Sequence, residues 1–146
     1  MREVVKTAGT IVFNEKNEVL LLNHVKKEGG RYGFPAGKFE KNENSLECAV
    51  RELEEETDLV ACMREMVELP TTYEKPMKVN GKTKTYTMSV YYCPKWSGYA
   101  KVSSEGSPEW FTVSQINQLP ESACRPNLKR MLRECLTYRR EITSTV

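Results

Sequence analysis

Histidine is almost absent: His24 is the only one in 146 residues. A histidine-based zinc site and a His-assisted nucleophile therefore have next to nothing to build on, and His24 itself, at the end of an apolar run, reads as structural. Cysteine is present but disconnected. Cys48, Cys62, Cys93, Cys124 and Cys135 are odd in number, widely spaced and without a C-x-x-C pair, which argues against a disulfide framework and a structural zinc site. They read as small buried hydrophobes. Long apolar runs are missing too. Gly9 to Phe13 and Val19 to Leu22 are strand-sized, far short of the roughly 18 residues that cross a bilayer. The opening MREVVKTAGT lacks the apolar core of a secretory signal, so the expectation is a cytoplasmic protein with no membrane partner. No repeat, low-complexity tract or linker interrupts the chain. With 39% hydrophobic and 29% charged residues, it reads as one soluble domain spanning residues 1–146.

What is present is unevenly distributed charge. The net charge is +2, yet the stretch from Glu40 to Asp58 carries eight acids against two bases, Lys41 and Arg51. The remainder is strongly basic. Such a distribution suits a bound cation together with a polyanionic small molecule, although an exposed charged helix is the commoner fate of an acidic run.

The pattern of elements narrows the fold class. Val4 to Phe13 and Val19 to Val25, joined by polar Asn14 to Asn17, predict a strand, a turn and a strand. Lys26 to Arg31 predicts a loop, and Phe34-Pro35-Ala36-Gly37 a short extended segment. Asn44 to Thr57 predicts a helix, with Asn44 and Glu47 in capping-box spacing. Its Leu46, Ala49, Val50, Leu53 and Thr57 share one arc, while Glu52, Glu55 and Glu56 share another. Val60 to Leu69 predicts a strand, and Asn80-Gly81 a hairpin turn between Tyr73–Val79 and Lys82–Cys93. Ser97-Gly98 and Ser103 to Pro108 predict loops; Ser114 to Leu119 and Pro126 to Arg139 predict helices. Interleaved strands and helices make this an α/β protein.

The acidic arc carries the chemistry. Like charges at i,i+4, here Glu52 and Glu56, repel on a helix, and a cation over them removes the penalty. Dense carboxylate oxygens suit a hard ion, Mg²⁺ or Mn²⁺, and magnesium commonly accepts phosphate oxygens as further ligands. The implied substrate is a phosphoanhydride and the implied reaction is water attack at phosphorus.

The spacing of these residues resembles a known family. Gly37, Glu43 and Arg51-Glu52-Leu53-Glu54-Glu55-Glu56-Thr57-Asp58-Leu59 are similar to the Nudix box, G-x5-E-x7-R-E-U-x-E-E-x-G-U with U aliphatic. Eight signature positions match, and Asp58 stands where the family has glycine. The resemblance implies a Nudix-type α/β/α sandwich with a mixed β-sheet. It also implies Glu52, Glu55, Glu56 and the Gly37 carbonyl as metal ligands, with Glu52 or a partner carboxylate orienting or deprotonating the attacking water. Arg51 and Glu43 would brace the array, and Glu105, with Glu109 as second choice, would complete it from a later loop. Left-handed dihedrals are common where the glycine would sit, and aspartate tolerates them better than most residues.

Around the box, Arg31, Tyr32 and Phe34 are the candidate substrate contacts, Arg31 toward phosphate. Tyr73, Tyr86, Trp96 and Trp110 could stack on a base, although aromatics at strand positions are more often core. Lys75, Lys78, Lys82 and Lys84 either draw in phosphate or protect an edge strand. Lys129, Arg130, Arg133, Arg139 and Arg140 read as a solvated helix face, and nucleic acid is not expected as a partner. The resemblance to the MutT-like branch makes a (deoxy)nucleoside triphosphate the leading substrate. In some of those enzymes an asparagine before the last helix reads an oxidised guanine; here Cys124-Arg125-Pro126 occupies that region, with Asn127 nearby. ADP-ribose, a nucleotide sugar or a dinucleoside polyphosphate is the alternative substrate. A non-catalytic nucleotide sensor is the alternative from another class. Oligomeric state is left open.

Overall fold

The computed structural model describes residues 3–23 and 30–144. His24 and most of the loop expected over Lys26 to Arg31 lie outside the described residues. Two sheets stand side by side. A mixed sheet runs in the order β4 (Ala36–Lys38), β1 (Glu3–Val12), β7 (Lys82–Cys93), β6 (Val67–Val79), with β1 and β7 parallel and the other pairs antiparallel. An antiparallel sheet runs β3 (Tyr32–Gly33), β2 (Glu18–Asn23), β9 (Ser107–Thr112). A two-stranded ribbon of β5 (Val60–Ala61) and β8 (Trp96–Ser97) completes the strands.

Side-chain alternation places the helices. Successive strand residues point to opposite faces, and here they enter two different cores. Ile11, Phe13, Val19, Leu21 and Val90 pack with Leu128, Met131, Leu132 and Cys135 of helix α3 (Leu128–Ser144). Their alternates Val12, Leu20 and Cys93 pack with Leu53 of helix α1 (Ser45–Thr57), and Ala8 and Tyr91 pack with Cys48 and Ala49 of the same helix. Trp110 and Phe111, adjacent on β9, divide in the same way. The result is a layer of strands between α1 and α3: the α/β/α arrangement expected from the sequence. Helix α2 (Val113–Gln118), capped by Thr112 and Gln115, buries Ile116 in the α3-side core.

Several expectations need correction. Val60 to Leu69 is not one strand. Val60–Ala61 pairs with β8, a 3₁₀ turn over Met63–Glu65 breaks the run, and Leu69 belongs to the longer β6. β6 itself changes register between Glu68 and Thr72. The loop expected to reach Pro108 is a strand from Ser107 onward. The C-terminal helix begins at Leu128 rather than Pro126 and extends past Arg139. Nor is its basic face simply solvated. Lys129 Nζ donates to the carbonyls of Leu119, at 2.5 Å, and Asn117, at 3.2 Å. The Arg130 guanidinium lies over Tyr73, and that of Arg139 lies 3.8 Å from the Phe13 ring centroid. Long basic side chains here cover apolar surface while keeping their charge wet, so they help dock α3.

Candidate active site

Helix α1 is fixed at both ends. The Asn44 side chain accepts the Glu47 N–H at 2.8 Å, and the Glu47 carboxylate accepts the Asn44 N–H at 3.0 Å, a reciprocal capping box. At the other end Asp58 adopts φ 69°, and its N–H donates to the Glu54 carbonyl at 2.9 Å. This is the left-handed cap that glycine supplies most cheaply. Between the caps the apolar arc is buried and the acidic arc faces a cavity of about 610 Å³.

Arg51 organises that acidic face. Its Nε and Nη2 donate to the two Glu43 oxygens at 2.7 and 2.9 Å, a bidentate pair. Nη1 donates to Glu52 at 2.8 Å and to Glu55 at 3.1 Å. Nη2 also reaches the Lys38 carbonyl at 2.9 Å. The hydrogen bonds to Arg51 hold the Glu43 carboxyl down to about 2. Conversely, Glu43 first and then Glu55 and Glu52 hold the guanidinium more firmly protonated than a free one.

Glu56 is treated differently. It is 2% exposed, and its carboxylate accepts the Ala36 N–H at 2.8 Å. Burial, and then the Glu52 charge, push its pKa up to about 8, with Glu105 adding to the rise and Arg125 opposing it. Burial also raises Glu52, against the pull of Arg51. Gly37 closes the array from β4. A Cβ at that position would overlap the Glu52 carboxylate, so a side chain there and Glu52 in its place are incompatible. Glycine is required for this close approach.

Glu52, Glu55, Glu56, Gly37, Arg51 and Glu105 all line the one cavity, while Glu43 stands behind Arg51. Among the substrate candidates, Phe34 lines it but is itself buried. Arg31 and Tyr32 do not line it. The Tyr32 ring packs edge-on against Phe111, and its hydroxyl interacts with Glu109 and Asn23, none of which lines the cavity. Glu109 is likewise outside. Tyr73, Tyr86 and Lys75 belong to the wall, whereas Trp96 and Trp110 stack on one another in the α1-side core. Reasoning from the sequence missed Lys38, whose ammonium lies 5.8 Å from the Tyr86 ring centroid. The region it noted before the last helix, Arg125 to Asn127, lines the cavity together with Leu128.

The donor set fits a hard divalent cation. It consists of carboxylate oxygens and one backbone carbonyl, without imidazole or thiolate. Among the described residues no three His, Cys, Asp or Glu side chains already stand as a set able to hold a metal ion. Arg51, shared between Glu52 and Glu55, and the raised proton affinity of Glu56 offset the mutual repulsion of the carboxylates. Glu52, Glu55, Glu56, Glu105 and the Gly37 carbonyl are the groups that would hold the ion.

The sequence model of the NUDIX domain matches residues 4–135. The chain belongs to the Nudix family. A MutT Nudix hydrolase from Burkholderia pseudomallei superposes with TM-score 0.76 at 20% identity, covering 91% of this chain and 98% of that one. The MutT protein of Methanosarcina mazei Go1 gives TM-score 0.76 at 18% identity, over 94% and 96% of the two chains. In sequence, a 59-residue segment is 39% identical to the 8-oxo-dGDP phosphatase NUDT18 of Danio rerio, over 40% of this chain. The match spans only 18% of that relative's length. Among the described residues no helix is long and apolar enough to cross a membrane.

Proposed function

We propose that this Nudix chain is a Mg²⁺-dependent pyrophosphohydrolase, with Mn²⁺ as a substitute ion, that cleaves the phosphoanhydride of a nucleoside diphosphate linked to a further group. A (deoxy)nucleoside triphosphate is the substrate class, and residues 1–146 act as one domain. The observation carrying this reading is the fan of Arg51 across Glu43, Glu52 and Glu55, with buried Glu56 and Glu105 turned to the same cavity.

When bound, the cation supplies positive charge against the phosphate oxygens. The chain's own residues do the rest. Arg51 and Glu43 hold the carboxylates in one orientation, a hydrogen-bonded support that typically contributes 10–100-fold in metal affinity or activity. A carboxylate of the cluster, Glu52 or a partner beside it, orients the attacking water and accepts its proton. The water oxygen bonds to phosphorus as the bridging P–O bond breaks, and the leaving phosphate departs with the bridging oxygen. Tyr73, Phe34, Leu128 and Met131 offer an apolar wall for the base, as nucleotide pockets generally do. The NUDT18 relative, an 8-oxo-dGDP phosphatase by name, adds oxidised purine nucleotides to the substrates worth testing.

The test is turnover of a panel: ordinary and oxidised nucleoside triphosphates, ADP-ribose, nucleotide sugars and diadenosine polyphosphates, each with Mg²⁺ and with EDTA. Wild type runs beside Glu55→Gln. Metal-dependent cleavage of a triphosphate that collapses in the variant is the expected result. Nucleotide binding without turnover of any compound would make the protein a sensor instead.

A further inference from the structure

The box accounts for the acidic side of the cavity but not for Arg125, a cation on its other side. Arg125 is held from both ends. Its N–H donates to the Tyr32 carbonyl at 2.8 Å, and Cys124 just before it makes a parallel bridge with Tyr32. Pro126 follows, then Asn127 at φ 68°, then the first turn of α3. The side chain lies along Gly33. A Cβ on Gly33 would stand 2.5 Å from Arg125 Cδ, 3.2 Å from Cγ and 3.5 Å from Nε. Gly33 is not among the residues with positive φ. Its lack of a side chain therefore serves close approach and leaves a slot that the arginine stem fills. Beyond the slot, Arg125 lines the same cavity as Glu52, Glu56 and Glu105. The residues after it, Asn127 and Leu128, line that cavity from the α3 end.

We propose that Arg125, laid across Gly33, binds the phosphate chain of the substrate between the carboxylate cluster and the α3 wall. This rests on the nucleotide reading above. A guanidinium presents a rigid fork of donors matched to phosphate oxygens. An anionic chain entering a cavity lined by four glutamates of the cluster needs a fixed cation on the side a metal ion does not cover. The Gly33 slot removes much of the side chain's freedom in advance, so less ordering cost remains to be met on binding.

The test is calorimetric binding of α,β-imido nucleoside triphosphates and of inorganic tripolyphosphate to wild type in Mg²⁺, so that turnover plays no part. For Arg125→Gln the expected result is a loss of roughly 10–100-fold for both ligands. The loss should be equal for adenine and guanine analogues, with an unchanged melting temperature. Gly33→Ala keeps the charge but lifts the arginine out of its slot, which is cheap because a flexible side chain yields. It should reproduce most of the loss, and the double variant should bind no worse than Arg125→Gln alone. Undiminished tripolyphosphate binding in Arg125→Gln overturns the proposal. So does a loss that depends on the base, additive losses in the double variant, or a wild type that ignores tripolyphosphate. Should Arg125→Gln fail to fold, Gly33→Ala decides alone. Wild type that binds both ligands through Arg125 yet cleaves no substrate removes the hydrolase reading and leaves this one standing.

Discussion

The two sides of the cavity are built on different principles. On the α1 side each carboxylate of the array has a fixed hydrogen-bond partner. Glu43 is held twice by Arg51, Glu52 and Glu55 share one of its nitrogens, and Glu56 is pinned to the Ala36 N–H. The opposite side sets the apolar Tyr73, Met88, Leu128 and Met131 among Glu74, Lys75, Arg125 and Asn127. Under the function proposed above, phosphorus chemistry would take place on the side held by hydrogen bonds, and the rest of the substrate would rest on the more apolar side.

That contrast can be broken most severely at Glu52. Glu52→Gln keeps the shape but loses the charge, and kcat should fall by about 10²–10⁴; steady-state kinetics with an unchanged circular dichroism spectrum would establish it. Gly37→Ala attacks the same side without touching an acid. The added methyl displaces the Glu52 carboxylate, and a shift of about 1 Å at a reaction centre can cost 10²-fold. Its kcat should fall accordingly while the KM changes little.

Acid stability tests the hydrogen bonding itself. Arg51 holds Glu43 near 2 against its ordinary 4.5. A carboxyl lowered in the folded state stabilises fully above the unfolded value and loses that contribution as pH falls through the folded one. The melting temperature of wild type should therefore drop between about pH 4.5 and 2, and Glu43→Gln should flatten that part of the curve. Equal slopes would mean that the Arg51 fan is weaker in solution than its geometry.

On the more apolar side effects should be small. Asn127→Gly preserves the left-handed backbone and removes the amide. One neutral hydrogen bond contributes about 1 kcal/mol, so KM should rise by roughly fivefold at constant kcat, differently for different bases. The smallest change concerns the helix cap. Asp58→Gly removes a left-handed non-glycine residue and a negative charge at a helix C-terminus, and loses only an exposed pair with Lys101 at 3.7 Å. A gain of about 1 kcal/mol, read as a melting temperature about 2–4 °C higher, is expected.

Legibility followed the same divide. Helix α1 was readable because cap, apolar arc and acidic arc all lie within fourteen consecutive residues, Asn44 to Thr57. The β6–β7 hairpin was readable through Asn80-Gly81. The segment before Trp110 offered two acids, Glu105 and Glu109, and only Glu105 lines the cavity. β9 was not, since Ser107-Pro108-Glu109 has the composition of a turn and becomes a strand only by pairing with β2. The break at Cys62 was hidden for a related reason: Val60–Ala61 and Val67–Val79 look continuous in hydropathy but pair with different partners. Arg125 comes next to Gly33 only through the Tyr32–Cys124 bridge. No periodicity links residues so far apart in the chain, and Tyr32 looked like a cavity residue for want of knowing which way β3 faces.

The parallel pairing of β1 with β7 bears on when the site can exist at all. Ten consecutive residues, Glu3 to Val12, are matched to Lys84 to Cys93, about eighty positions further along. Contacts of such long sequence separation slow folding, because a large loop must close before they reward the chain. During synthesis the acidic helix emerges early with its capping box complete, yet the strand that walls it from below cannot be clamped until residue 93 has left the ribosome. Until then Leu53 lacks Cys93 and Ala49 lacks Tyr91, although Val12, Leu20 and Ala8 have already been made. The interval between those two events is when the nascent chain is most exposed to aggregation.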